Sequence, residues 1–535
     1  MGRTKQALIS ESVEIYLGFG RNDLIVEDHQ NSVKSRHPSL DWRTTAVLLF
    51  VVSAYLYANL FVLPKTPILR SGDQTYFWTD GQRMLFGERP YQDFFQFTPP
   101  GTDVFFFALF DWLGPRIWVT NIAILVLGAA LCWVCLMIAC QIVSLWSALL
   151  ATLLFLTLVY AKLLNATHHW LSMLLILSAV RVAMGGSHSA RIAIVGLLLG
   201  AAAFFTQTHA FAALLAYSLF LMWQRSRMRE SWFLLSQRWA ILAVSFVALC
   251  IICNAYFLVT VSIKQIWYCQ VTFVLRYMTH AEGAFLGLPE VPTWRRLSVV
   301  SQYFLVYALL LTAYPLSLWR CWRRRHDPTF CDWNKVAILA LLGSALCLEV
   351  AFSLNWLRIF AVSMPAVILF IDLVEESGRF GHYLTRLLWS GVVCLAILQV
   401  WSNHHGRLMI ADLPAGTTAL NPAAYERWTW ISQHTHPGDF FFQAVSPSVY
   451  LPLSLRSAVF VEGLGEDDQT RPEFVDRTIH QLETKQVRFV LWSPRLEVQG
   501  SDNMQDHLQP FRDYLHDRYA RVWTFSDQEE IWERK

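Results

Sequence analysis

Thr44-Thr-Ala-Val-Leu-Leu-Phe-Val-Val-Ser-Ala-Tyr-Leu-Tyr-Ala-Asn-Leu-Phe-Val-Leu63 carries no charged side chain. A helical run of roughly 20 apolar residues is long enough to cross the hydrocarbon core of a bilayer. Downstream the same pattern recurs over 117–141, 144–164, 171–184, 191–206, 210–223, 239–260, 301–319, 335–353, 359–374 and 387–402, and then stops. Several of these runs are shorter than the ideal span and need flanking residues or little tilt to cross. The whole chain of 535 residues is 55% hydrophobic and 16% charged, with a mean hydropathy of +0.36. That balance lies outside the range of ordinary soluble domains. The expected fold is an α-helical polytopic membrane protein with about 11 transmembrane helices and a small C-terminal α/β domain.

Three parts follow from these runs: a segment over 1–43, a transmembrane domain over 44–402 whose first outer loop is 64–116, and a domain over 403–535. The first part is polar, without an apolar core or a small-residue cleavage site, so it does not read as a cleaved leader, and the N-terminus is expected in the cytoplasm. The loops 224–238, with Arg225, Arg227, Arg229 and Arg238, and 320–334, with Arg320, Arg323, Arg324 and Arg325, then fall on the cytoplasmic side. This agrees with the excess of Lys and Arg in cytoplasmic loops. The loops 165–170 and 206–209 on the other side carry neither residue, and an odd number of spans puts the C-terminus outside. The expected location is the inner (plasma) membrane.

The last part differs in kind from the rest, with 13 basic and 19 acidic residues and no cysteine. Helical patterns at 423–435, 471–485 and 502–519 alternate with strand patterns at 440–445 and 487–492, and Pro437-Gly438-Asp439 marks a turn. A small parallel or mixed sheet is expected. Gly463-Leu464-Gly465 is followed by Glu466, Asp467 and Asp468, which would repel a phosphate, so no nucleotide site is read there. All 10 cysteines lie from Cys132 to Cys394. The CxxC pairs Cys132/Cys135 and Cys250/Cys253 fall within apolar runs and lack a second ligand pair, which argues against zinc and against a disulfide framework.

The chemistry-bearing region lies between the first two clear spans. It reads Arg70-Ser-Gly-Asp73-Gln-Thr-Tyr76, then Gly87-Glu-Arg-Pro90-Tyr91-Gln-Asp93-Phe-Phe-Gln-Phe-Thr-Pro99-Pro100-Gly101. Acids (Asp73, Asp80, Glu88, Asp93) are interleaved with aromatics, and 102–113 is an apolar stretch too short to span, expected as an interfacial helix. In this layout, in Gly72-Asp73 just beyond the first span, and in Gly87 to Asp93 followed by Pro99-Pro100-Gly101, the chain resembles the polyprenyl-phosphate-dependent glycosyltransferases of the GT-C fold. That group includes protein O-mannosyltransferases and aminoarabinose transferases, and the resemblance extends loosely over the whole chain.

The resemblance implies a membrane glycosyltransferase that takes a sugar from a polyprenyl-phosphate donor to an extracytoplasmic acceptor. In that family the first outer loop holds an acid near its start that acts on the acceptor, which maps onto Asp73. Many relatives carry two consecutive acids there, whereas here Gln74 follows, so the second acid is open between Asp93 and Asp80. The chemistry asks for such a group by itself. A sugar C1 bonded to phosphate already has a good leaving group, so the acceptor hydroxyl needs a general base more than the leaving oxygen needs an acid. Direct displacement through an oxocarbenium-like transition state inverts the anomeric centre. The structural alternative makes Asp73 and Asp93 solvated loop acids or helix caps.

The departing phosphate needs preorganised positive charge or donors. Lys162 and Arg358 lie at expected outer ends of spans, and Arg358 is the stronger candidate, since arginine grips phosphate bidentately and relatives tend to carry a basic or polar residue before a Pro-containing late span, here Pro365. The alternative is that both simply snorkel to the interface. His168 and His169 are read as polar contacts in the site, with a divalent cation held together with a carboxylate such as Asp93 as the alternative. Gln207 and His209 lie on the same side. Glu349, an acid inside an apolar span, is expected to pair with Arg358. The segment 261–296, with Tyr268, Arg276, Tyr277 and His280, is expected over the cavity, its aromatics serving the interfacial belt or stacking on sugar. A transporter or flippase of lipid-linked or small polar solutes is the runner-up. Carriers concentrate acids at the bilayer midplane and often show internal repeats, whereas here no repeat is read and the acids lie at the surface apart from Glu349 and the near-terminal Asp372. A nucleic-acid partner is not expected.

Overall fold

The structure is a computed structural model that describes residues 41–62, 64–278, 293–325, 333–351, 356–405, 408–465, 469–497 and 506–535. The expected segment up to residue 40, His280, Asn355, the acids Glu466, Asp467 and Asp468, and Asp502 lie outside them. Each expected apolar run falls on a helix. Seven helices are long and apolar enough to cross a membrane: Trp42–Leu60, Ile117–Ala139, Leu145–Lys162, Trp232–Thr260, Tyr303–Arg323, Trp333–Ala351 and Gly378–His405. His168–Ala183 and Ser189–Ala203 are shorter apolar helices, and Gln207–Met228 and Met364–Glu376 complete the bundle. The protein is a multi-pass membrane protein.

Burial separates two kinds of helix. Ile117–Ala139 packs most of its length into the core. Gly378–His405 instead turns Phe380, Tyr383, Leu387, Val393, Ile397 and Trp401 outward. In water such a surface would drive aggregation, whereas in a bilayer it is the lipid face, with aromatics near both ends. Two helices break at the end that leads to the C-terminal domain. Leu145–Leu154 loosens into a π turn, Phe155–Val159, and a 3-10 turn, Tyr160–Lys162. The run 359–374 is two helices, Trp356–Ala361 and Met364–Glu376, with Pro365 placed in the first turn of the second. Proline is tolerated there because that N–H has no intrahelical partner to lose.

The first loop contains two helices. Gly101–Leu113 is the expected interfacial one, but Gln74–Leu85 lies in a stretch read as loop. Its polar residues Gln74, Thr75, Thr79, Asp80, Gln82 and Arg83 are buried together with Phe77 and Trp78, so no polar face alternates with an apolar one. The two helices meet at Gly81, where a Cβ would lie 2.7 Å from the Phe106 Cβ. The Pro99-Pro100-Gly101 turn is equally tight: the Gly101 N–H donates to the Phe204 carbonyl at 2.9 Å, and a Cβ there would sit 2.4 Å from that oxygen.

Beyond His405 the chain forms a hairpin, Met409–Leu413 with Gly416–Leu420, and a mixed five-stranded sheet. The sheet order is Arg456–Ser457, Phe440–Gln443, Phe489–Trp492, Glu530–Arg534, Tyr519–Thr524. The first three strands are parallel and the last two antiparallel. Helices Pro422–His434, Pro472–Thr484 and Gln509–Arg518 cover it. This unit sits on the first loop. Phe95 donates its N–H to the Phe460 carbonyl at 2.7 Å, Thr79 its hydroxyl to the Pro447 carbonyl at 3.0 Å, and Phe95, Phe273, Phe460 and Phe474 form one aromatic cluster. Tyr268 donates to Glu473 at 3.1 Å, and the Arg471 guanidinium lies 4.2 Å over the Tyr277 ring. These tyrosines pack on the C-terminal domain.

Candidate active site

Gly72, with φ at 114°, reverses the chain just before Asp73, and its carbonyl accepts both the N–H and the hydroxyl of Thr75 at 2.8 Å. A left-handed φ of this kind favours glycine. Asp73 occupies the N-cap position of Gln74–Leu85, yet its side chain makes no capping hydrogen bond. The cap alternative thus does not describe it, and its carboxylate is left half-buried and available. Burial pushes the Asp73 carboxyl above its ordinary range, while the charge of Arg358 pulls it back.

Gln74 is fully buried and tied at both ends. Its Nε2 donates to the Arg70 carbonyl at 2.9 Å, and its Oε1 accepts the Ala166 N–H at 3.3 Å. The residue beside Asp73 therefore fastens the first loop to the segment that leads into His168. Arg70 in turn donates to the Asn59 carbonyl at 2.6 Å, anchoring the loop to the first helix.

Arg358 belongs to the short helix Trp356–Ala361, just before the break at Pro365. It is half-buried, and no hydrogen bond or ion pair joins its guanidinium to another described residue. Its charge reaches Asp73, His168, His169 and His209. The two histidines expected in a loop are instead the first residues of the helix His168–Ala183. Their rings lie 3.9 Å apart between centroids, His168 packs edge-on to Phe77 at 5.2 Å, and His169 lies 5.2 Å from His209. The Nδ1 atoms of both His168 and His169 are buried without a partner among the described residues.

Glu349 does not pair with Arg358, as topology had suggested. Its Oε2 lies 3.4 Å from His209 Nε2 without hydrogen-bond geometry, while Ser172 Oγ stands 3.2 Å from His209 Nδ1. Helix Gln207–Met228 places His209 next to the end of Trp333–Ala351, and this long-range neighbourhood gives no signal in sequence spacing.

The remaining candidates separate from this group. Asp93 accepts the Arg89 N–H at 2.8 Å and pairs with Arg89 Nε at 3.3 Å, closing the turn after Pro90. Asp80 is 2% exposed, buried beside Asp103 and Glu462 of the C-terminal domain. Lys162 is exposed, with no ion pair to another described residue. Gln207 Nε2 reaches the Gln270 carbonyl at 3.5 Å and lines a groove of about 250 Å³ with Tyr91, Asn254, Phe257 and Gln270. Among the described residues no group of three His, Cys, Asp or Glu side chains is placed to hold a metal ion. Cys132, Cys135, Cys250 and Cys253 are free thiols.

No protein-family model matches the chain and no curated protein is similar to it. Solved structures are. ArnT from Cupriavidus metallidurans in the apo state aligns with a TM-score of 0.59 at 13% identity, over 91% of this chain and 97% of its own; ArnT has also been solved bound to undecaprenyl phosphate. The oligosaccharyltransferase AglB from Archaeoglobus fulgidus, in complex with an inhibitory peptide and a dolichol-phosphate, aligns with a TM-score of 0.53 at 11% identity, over 92% of this chain and 75% of its own. AglB has also been crystallised with Zn and sulfate. With its helical bundle, its first loop of two helices and its C-terminal α/β unit, the chain has the polytopic GT-C fold that these two enzymes share.

Proposed function

We propose that this protein is an inverting membrane glycosyltransferase that moves a sugar from a polyprenyl-phosphate donor to a hydroxyl of an extracytoplasmic acceptor, a lipid, glycan or protein. The observation that carries this reading is the pairing of an uncapped, half-buried carboxylate, Asp73, with a cation, Arg358, that has no ion-pair partner among the described residues and whose charge reaches it. The acceptor oxygen attacks C1 while the bond from C1 to the phosphate oxygen breaks. Asp73 takes the hydroxyl proton, and the electron pair leaves with the polyprenyl phosphate. A carboxyl pushed up by burial is a better base than a solvated one, because proton transfer is most effective when the base is matched to its task.

Arg358 meets the charge that grows on the leaving phosphate, where a preorganised donor lowers the barrier most. The unpartnered imidazole nitrogens of His168 and His169 supply further contacts to phosphate or sugar. The groove beside Gln207, walled by Phe211, Phe257 and Leu258, suits the first units of a polyprenyl chain entering from lipid. In this reading the C-terminal domain and the break-containing helix ends face the extracytoplasmic side of the inner membrane, and the N-terminus is cytoplasmic. The domains divide as 1–43, 44–402 and 403–535.

The test is incubation of purified protein with a panel of radiolabelled polyprenyl-phosphate sugars, comparing wild type with Asp73→Asn. Transfer of one donor is expected, with the rate of the Asn variant lowered by about 10²–10⁴-fold. An Asn variant that transfers at the wild-type rate removes Asp73 as base, and transfer of no donor removes the enzyme reading.

A further inference from the structure

The helix that begins at Asp73 carries a second acid, Asp80, which is buried with Asp103 and Glu462 at 2%, 0% and 5% exposure. The three carboxyls come from three segments: Gln74–Leu85, Gly101–Leu113 and the C-terminal domain. Their donors can be counted. Gln96 Nε2 reaches Asp80 Oδ2 at 2.9 Å and the two Asp103 oxygens at 3.3 and 3.4 Å. Its orientation is fixed, because Gln96 Oε1 accepts from the N–H and hydroxyl of Thr98 at 3.1 and 3.0 Å. Arg83 donates to Glu462 Oε1 at 3.0 Å and to Glu88 Oε2 at 2.7 Å.

Two oxygens remain, Asp80 Oδ1 and Glu462 Oε2, buried and without a donor among the described residues. The same Gln96 nitrogen holds Asp80 and Asp103 together, and Arg83, three residues along the helix from Asp80, holds Glu462. Ionised carboxylates only accept, so two of them can approach this closely in a dry site only when one holds a proton. Among the described residues Arg83 is the one fully buried cation that binds any of the four acids Asp80, Glu88, Asp103 and Glu462.

We propose that Asp80 and Glu462 share one proton, and that this proton fastens the C-terminal domain to the helix that begins at Asp73. Both are positioning residues. The assignment stands on docking geometry and rests on the transferase reading only for its consequence at Asp73.

The groups that face the pair are Arg83 on the same helix, Glu88, Tyr91 and Gln96 in the loop, Asp103 on the neighbouring helix, and Tyr450 and Arg456 from the C-terminal domain. Burial and the mutual repulsion of the acids hold Asp80 and Asp103 well above the carboxylate range and raise Glu462, with Arg83 opposing this at Asp80 and Glu462. Groups raised in this way bind more protons in the docked state than in the released one. The docking they support is therefore complete at low pH and is lost as pH rises through the raised values.

Hydrogen exchange of the full-length protein in nanodiscs tests this. After correction for intrinsic exchange, protection over 79–84 and 457–465 is expected to fall by about tenfold per pH unit in the wild type once pH passes the raised values. Asp80→Asn, whose amide donates a permanent hydrogen to Glu462, holds the low-pH protection to higher pH than the wild type. Glu462→Gln does the same from the other side, and Asp80→Ala loses protection at every pH. Wild-type protection that ignores pH, or an Asp80→Asn variant that loosens as the wild type does, overturns the proposal. If no sugar is transferred but the exchange pattern holds, the transferase reading fails and the shared proton stands.

Discussion

The two ends of the helical bundle treat charge in opposite ways. At the end remote from the C-terminal domain, two clusters of acids and bases lying between helices are paired. Arg320 is bound to Asp372 and, at 2.9 Å, to Glu376, while Arg238 holds Glu230 through two bonds at 2.6 and 3.0 Å. At the end that carries the C-terminal domain, Asp73 and Arg358 feel one another without a bond, and the nitrogens of His168 and His169 lack partners among the described residues. Leaving a charge half-buried and unmatched costs stability, and folds retain such groups where a ligand completes them. On the proposed function, these pairs belong to the architecture and the unbonded groups at the other end belong to the site.

The strongest way to break this comparison is to unpair the architectural end. Arg320→Ala leaves Asp372 buried beside Glu376 with its main counter-charge gone, and removal of one partner from a buried pair costs about 3–5 kcal/mol. Thermal unfolding in detergent is expected to show that loss, with kcat/KM of the folded fraction within about twofold of wild type. An Arg320→Ala variant as stable as wild type would mean that the paired layer is not structural.

The converse experiment removes the unpaired cation. Arg358→Ala is expected to lower kcat/KM by about 10²-fold, equivalent to about 2.7 kcal/mol, with stability changed by no more than about 0.5 kcal/mol. Arg358→Lys recovers part of the rate, because a point charge replaces a bidentate fork. An Arg358→Ala variant that loses stability more than rate would assign Arg358 to the architecture instead.

The same variant sharpens the role of Asp73 through pH. A base must be unprotonated, so kcat/KM rises with pH as Asp73 loses its proton, and burial places that limb above the ordinary carboxylate value of about 3.9. Arg358 lowers the Asp73 value, so Arg358→Ala moves the limb to higher pH. A limb that stays in place separates the two groups electrostatically and dissolves the site as drawn.

How far the sequence carries depends on whether burial follows composition. The apolar runs are legible because lipid and core both select them, and every expected span lies on a helix. Asp73 stands out in the sequence by its place after the first span, and the structure leaves its side chain without a capping bond. The helix Gln74–Leu85 is not legible, since it is short and its polar side chains are buried, so its composition reads as a solvated loop. Nor is the closing strand Tyr519–Thr524, whose side chains are mostly exposed at the sheet edge. The neighbours His209 and Glu349, and Asp80 and Glu462, come from segments far apart in the chain and are brought together only by packing.

Gln74 gives the smallest and most specific test. Relatives with two consecutive acids suggest that the position beside Asp73 belongs to the chemistry, whereas here the amide spans from the Arg70 carbonyl to the Ala166 N–H. A carboxylate can accept from Ala166 but cannot donate to Arg70. Gln74→Glu therefore leaves a buried carbonyl unpaired, at a cost of about 1–3 kcal/mol. Thermal unfolding should show this loss, with no gain in transfer rate. A Glu variant that is as stable as wild type and transfers faster would move position 74 from the scaffold into the reaction, and would make Asp73 one half of a catalytic pair.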